Sequence, residues 1–227
     1  MFMVKTMRVE KDKKLRKRIG IDLDDILFPF NRHFLIYRNK KHNTNYKEED
    51  IFSFYYEDVF NMTTEKVIKE LDDFYKTKEY EKIKPVENSY RVLSEIKKTH
   101  DLVIVTARPE YLLEKTKKWL NKNFKNIFSD VIFTNQSSLL DQKRNKAEVC
   151  VERNIEILIE DNFDYAVDCA KNGIRVLLFN KPWNINKNIP EEYAGFIIRI
   201  NDWNDVLIVY ESTKRFSDFK KNILNKI

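Results

Sequence analysis

Three carboxylates close a short aliphatic run in Arg18-Ile19-Gly20-Ile21-Asp22-Leu23-Asp24-Asp25-Ile26-Leu27. Ile19, Ile21 and Leu23 suit a strand and aspartates do not, so the run reads as a strand delivering side chains into a site at its end. Asp22 and Asp24, two apart, project to one side for as long as strand geometry lasts. Two carboxylates meeting there either repel or share a cation, for which a hard divalent ion such as Mg2+ is the usual partner. An exposed acidic turn is the other reading of this stretch taken alone. Two further aliphatic runs also end in polar groups. Thr106-Ala107-Arg108 follow Leu102 to Val105, and Glu160-Asp161 follow Ile155 to Ile159, with Lys143 and Lys146 at a helix start between them. Carboxylates can hold Mg2+, while a hydroxyl, backbone N–H groups and a lysine neutralise phosphate oxygens and one aspartate attacks phosphorus. The set suits phosphoryl transfer.

The elements that must position these groups form an alternating pattern. Helical spacing over 86–99, 110–121, 143–153 and 163–172 alternates with buried-type strands at 101–106, 131–133, 155–159 and 174–179. Strands alternating with helices predict βαβ units and an α/β fold with a parallel sheet, in which all the polar strand ends share one edge. Residues 28–84 break the pattern. Phe28, Phe30, Phe34, Ile36 and Tyr37, an aromatic cluster from Phe52 to Phe60, and Val67, Ile68, Leu71, Phe74 and Tyr75 at spacings of 3 and 4 predict a small helical insertion after the first strand. The tail is expected to supply a strand-like edge at Ile197 to Ile200 and one or two closing helices from Trp203 through the basic segment 213–226.

Composition narrows the function classes. A chain of 227 residues predicts one domain, or one with a modest insertion. The net charge of +6 comes from 42 basic and 36 acidic residues that are mostly interleaved, which favours a solvated surface over a dedicated nucleic-acid patch. Residues 1–17 are an exception, a basic arm (Lys11, Lys13, Lys14, Arg16, Lys17) expected to be loosely attached. Cys150 and Cys169 lack metal-type spacing and fit reduced thiols in a cytoplasmic setting. No apolar run suggests a membrane span or signal peptide, and three glycines exclude glycine-rich phosphate loops.

Over residues 18–180 the chain resembles the haloacid-dehalogenase-like (HAD) phosphohydrolases. Asp22-Leu23-Asp24-Asp25-Ile26 is similar to motif I, D-x-D-x-[TV], with Asp25 where Gly is commonest and Ile26 in place of Thr or Val. Val105-Thr106-Ala107-Arg108 resembles motif II, Lys146 in Lys-Ala-Glu-Val-Cys motif III, and Ile159-Glu160-Asp161-Asn162 motif IV in its acidic-pair form. The resemblance implies a HAD-like Rossmannoid core (18–27 and 85–227) with a C1-type cap at 28–84. It also implies roles. Asp22 is the nucleophile, forms an aspartyl-phosphate and ligates Mg2+. Asp24 is general acid, then base, and touches the metal through its carbonyl. Thr106 and the Ala107 N–H hold the transferring phosphoryl, Lys146 balances charge, Asp161 ligates metal, and Glu160 ligates it or stands one shell out. Lys143 competes with Lys146 for the third role but better fits a solvated helix face. Asp164 reads as a helix cap, Asp25 as a turn cap, and Arg108 either binds phosphate or anchors its loop.

Asp24-Asp25-Ile26-Leu27-x-x-Phe30 and the run 159–184 further resemble the 5'(3')-deoxyribonucleotidase branch, which implies a nucleoside monophosphate as substrate and Phe30 as a ring stacking on the base. Cap core is the alternative for Phe30 and the favoured reading for Phe28 and the 52–60 aromatics. A sugar phosphate or other metabolite phosphate is the first rival substrate. A nucleic-acid 3'-phosphatase drawing on the basic arm is another, and a binding protein without activity is disfavoured because every motif residue is present.

Overall fold

The computed structural model describes residues 16–135 and 143–213. Most of the basic arm and the basic tail beyond Thr213 therefore lie outside the described residues. Six parallel strands form one sheet, β1 (Arg18–Ile21), β2 (Asp101–Thr106), β3 (Phe128–Phe133), β4 (Ile155–Glu160), β5 (Arg175–Phe179) and β6 (Ile197–Ile200), in the order β3-β2-β1-β4-β5-β6. The chain builds outward from β1 to β3, then returns to the other side of β1 to add β4. The strand order reverses between β1 and β4, and in open α/β sheets the crevice beyond the carboxyl ends of such a pair is where ligands bind. Ile21 pairs with Ile159, which brings Asp22 alongside Glu160 one step further on.

Gly20 makes this central pairing close. A Cβ there would meet Leu158 Cδ1 at 3.0 Å and Ile155 Cγ2 at 3.1 Å, so a larger residue would push β1 off β4 side chains. The connections are helical: α5 (Ser89–Ile96), α6 (Leu113–Asn123), α7 (Lys146–Glu152), α8 (Phe163–Lys171) and α9 (Trp203–Ser212), numbered after four helices that precede them. Their apolar faces and both sheet faces are buried, with Ile21, Val105, Leu158 and Val176 at 0% exposure or nearly so. No helix among the described residues is long and apolar enough to cross a membrane.

Between β1 and α5 the described elements are helices only: α1 (Phe30–His42), a 3-10 turn (Glu48–Asp50), α2 (Tyr56–Phe60), α3 (Thr64–Tyr75) and α4 (Lys78–Glu81). They pack through aromatic rings, with Phe34 and Phe30 each 5.6 Å from Phe74. A buried Arg38–Glu70 pair at 3.2 Å ties α1 to α3.

Several boundaries differ from the sequence expectation for local reasons. The helix expected from residue 86 starts at Ser89, because Asn88 before it is left-handed (φ 62). The one expected from 110 opens with a 3-10 turn, Glu110–Leu112, after Pro109. The one expected from 143 starts at Lys146, where Asn145 caps the N–H groups of Ala147 and Glu148. Strand β3 begins three residues early, at Phe128, since its exposed Ser129 and Asp130 give no apolar signal.

Candidate active site

Strand β1 ends one residue before Asp22, whose N–H still donates to the Ile159 carbonyl at 2.9 Å. The nucleophile candidate is thus held by the sheet itself. At the end of β4, Glu160 Oε1 accepts the N–H groups of Asp161 (3.0 Å) and Asn162 (2.9 Å), folding the strand end into a turn. Asn162, not Asp164, then caps α8 by accepting from the N–H groups of Asp164 and Tyr165, and Asp164 pairs outward with Lys187. Asn fits here because its short carbonyl reaches back to the first-turn amides. The Asp161 carbonyl is fixed by Trp183 Nε1 (3.2 Å) and Asn184 Nδ2 (2.6 Å).

Lys146 joins the two strand ends. It opens α7, is 1% exposed, and donates from Nζ to Asp22 Oδ1 and Glu160 Oε2, both at 2.7 Å. The Tyr165 ring lies 4.8 Å from the same ammonium. Asp22, Glu160 and Asp161 each bring an oxygen within 4.8 Å of the others, and all three are buried. Burial pushes the Asp22 carboxyl up to about 8, against the pull of Lys146 and helped by Glu160 and Asp24. Burial, then Glu160 and Asp22, also raise Asp161 well above the carboxylate range. Although burial opposes its charge, Asp22 and Glu160 hold Lys146 well above an ordinary lysine. One ammonium cannot balance three buried carboxylates once they ionise, so their ionised form calls for a further positive charge. An oxygen-only donor set of this kind fits a hard divalent cation.

Asp24, two residues beyond Asp22, turns toward β2. Arg108 Nε and Nη2 donate to its two oxygens at 2.8 and 2.6 Å, forming a fork. Arg108 is 2% exposed, donates from Nη1 to Thr116 Oγ1 at 3.0 Å and stacks over Phe28 at 4.5 Å. It anchors Asp24 and its own loop and does not line the cavity. Thr106 is buried at the end of β2 with its Oγ1 accepting the Arg108 N–H at 3.3 Å, and Ala107 is the motif II residue that reaches the cavity. Asp25 is left-handed (φ 57), the conformation that makes Gly common at this position and that Asp tolerates. Its oxygens accept the Asn31 N–H (3.0 Å) and Nδ2 (2.7 Å), so it ties the turn to the start of α1, and burial pushes its carboxyl up to about 7.

A cavity of about 270 Å3 opens over these strand ends and is roofed by α1, α2 and α3. Phe30 lines it but is 5% exposed and mostly packed on Phe34, Phe74 and Tyr75. Sequence reasoning assigned Phe54, Tyr55 and Tyr56 to the interior of the insertion, and it missed Tyr165 and Trp183, yet all five line the cavity. Phe54 meets Tyr165 edge-on at 6.0 Å, across from the insertion to α8. The only available signal was the density of aromatics in 52–60 and 159–184. Lys143 also lines the cavity, exposed and ahead of α7, and it makes no ion pair among the described residues.

A family profile described as "5' nucleotidase, deoxy (Pyrimidine), cytosolic type C protein" matches residues 16–213. A Halalkalibacterium halodurans protein that carries a nucleotidase name is 29% identical over 191 residues, 84% of this chain and 90% of that one. The 5'(3')-deoxyribonucleotidase of Bacillus subtilis is 25% identical over 197 residues, 85% and 97% of the two chains. Among solved structures, a Bacillus subtilis HAD-hydrolase bound to magnesium superposes with a TM-score of 0.56 at 16% identity, covering 88% of this chain and 99% of that one.

Proposed function

The chain belongs to the family of cytosolic type C deoxy (pyrimidine) 5' nucleotidases, HAD-like phosphomonoester hydrolases, and on that premise we infer that it is a Mg2+-dependent nucleotidase acting through an aspartyl-phosphate. The observation that carries this reading is the buried Asp22–Lys146–Glu160 chain beside Asp161, with Asp24 two residues beyond the nucleophile. Asp22 and Asp161, with Glu160 beside them, would hold the ion, which supplies charge neutralisation at the phosphate oxygens. Glu160 has both oxygens engaged, by backbone N–H groups and by Lys146, and serves first to orient that lysine.

An Asp22 oxygen attacks phosphorus while the P–O bond to the leaving alcohol breaks and Asp24 delivers the alcohol's proton. Asp24, now ionised, takes a proton from water as the water oxygen attacks the acyl-phosphate, which releases phosphate and returns Asp22. Arg108 orients Asp24 throughout: its fork suits the ionised form that takes the water's proton, and one arm gives way when Asp24 carries the proton for the leaving alcohol. The Ala107 N–H takes a transferring phosphoryl oxygen, Thr106 sits buried behind it and shapes that turn through the Arg108 N–H, and Lys146 keeps the Asp22 pair electrically tolerable. Residues 28–84 act as the cap over the core formed by 18–27 and 85–227. Within that cap Phe30 gives one edge of the leaving-group space, and a nucleoside monophosphate is the substrate class.

A phosphate-release screen over mononucleotides and common sugar phosphates, with and without Mg2+, tests the reading. Release from mononucleotides only when Mg2+ is present is expected. A clear preference for a sugar phosphate would transfer the chemistry to a different substrate, and no release from any ester would end the phosphatase assignment.

A further inference from the structure

The cavity wall on the insertion side has an unusual charge inventory. Helix α3 presents Thr64, Val67, Ile68, Leu71 and Tyr75 to it, the face generated by helical spacings of 3 and 4. Ahead of it, Ser53 to Tyr56 add hydroxyls and rings. The same segment carries Arg32, Arg38, Lys40, Lys66, Lys69 and Lys76, yet no cation from 28–84 lines the cavity. Among the described residues the cations that do are Lys146, bonded to Asp22, and Lys143, just ahead of α7, neither of them in the insertion. The charged group on the insertion wall is Glu57 in α2, which is half-buried and makes no ion pair among the described residues.

The cavity is therefore split. One end concentrates what a phosphoryl group needs, and the other has an apolar and aromatic surface with a single unneutralised carboxylate. A second phosphate on the leaving group would enter a cavity wall that carries the Glu57 carboxylate and no cation of the insertion, so the two like charges would repel. A neutral leaving group would instead offer O–H or N–H donors to the same carboxylate. We propose that Glu57 selects the leaving group by charge, admitting neutral nucleosides and rejecting substrates with a second anionic group, whether bisphosphates or nucleic-acid ends. This rests on the nucleotidase reading above and narrows its substrate class. On the same ground it weighs against the nucleic-acid 3'-phosphatase alternative, since a strand end carries a phosphodiester next to its terminal phosphate.

The test compares kcat/KM for deoxynucleoside 5'-monophosphates with that for the matching 3',5'-bisphosphates, using the full chain with Mg2+. The ratio is the readout, because partial loss of folded enzyme cancels from it. The wild type should favour the monophosphate by roughly tenfold, and the ratio should shrink as added salt screens the repulsion. Glu57→Gln should bring it toward unity, and Glu57→Lys should reverse it. A wild-type ratio near one, or a ratio unmoved by both substitutions, overturns the proposal. Hydrolysis of neither substrate class would instead overturn the phosphatase reading, and this specificity with it.

Discussion

Arg108 grips both oxygens of Asp24, at 2.8 and 2.6 Å, from a position that is itself 2% exposed. The guanidinium is held in turn by Thr116 and the Phe28 face, so the fork is rigid. In the proposed reaction Asp24 gives and then takes a proton, and its aim depends on this grip. Arg108→Lys keeps a cation but loses the fork. It should lower kcat by about 10- to 100-fold, the scale of an ångström misplacement, with KM little changed. A rise in KM at constant kcat would instead make Arg108 a substrate ligand. Steady-state kinetics on a mononucleotide distinguishes the two.

Asp22→Asn removes the attacking oxygen while keeping the shape and one acceptor for Lys146. Turnover should fall by roughly 10³-fold or more, as for other nucleophile deletions. Substrate binding should persist. Wild-type protein quenched in acid during turnover of phosphate-labelled substrate should carry covalent label, and the variant none. Near-normal turnover in the variant would remove Asp22 from the nucleophile role.

Burial raises the Asp22 carboxyl to about 8 and Asp25 to about 7, both from 3.8. Groups raised in this way bind more protons in the folded than the unfolded chain between those limits, so metal-free stability should fall as pH rises from about 4 to about 8. A divalent ion competes with those protons. Thermal melts in chelator should therefore show a higher Tm near pH 5 than near pH 8, and added Mg2+ should raise Tm most near pH 8. An Mg2+ shift that is equal at both pH values would argue against Asp22 as a ligand.

The strand ends were legible in the sequence because acidic or hydroxyl residues after aliphatic runs violate strand propensity, and a violation repeated at three strand ends needs a common cause. Asp22, Lys146, Glu160 and Asp161 converge for that reason. The aromatic wall was not legible in the same way. A ring at helical spacing buries equally well in a core or against a cavity, and only packing separates Phe34, at 1% exposure, from Tyr55, at 56%. Arg108 was ambiguous because its partner Asp24 lies 84 residues away. The Asp25 link to Asn31 depends on a left-handed turn that no periodicity encodes.

The two lysines near the start of α7 separate cleanly by environment. Lys146 is buried between Asp22 and Glu160, while Lys143 is exposed at the cavity rim without an ion pair among the described residues. Lys146→Met would leave two buried carboxylates facing each other. Breaking a buried pair from one side costs about 3–5 kcal/mol, so Tm should drop along with kcat. Mg2+ should recover part of that Tm loss, because it supplies the missing positive charge. Lys143→Ala removes only a solvated cation that can meet the dianionic ester. It should leave Tm unchanged and raise KM several-fold, with weaker inhibition by inorganic phosphate, and Lys143→Arg should restore both. If the effects were exchanged, with Lys143 essential for kcat and Lys146 dispensable, the charge-balancing role would belong to Lys143.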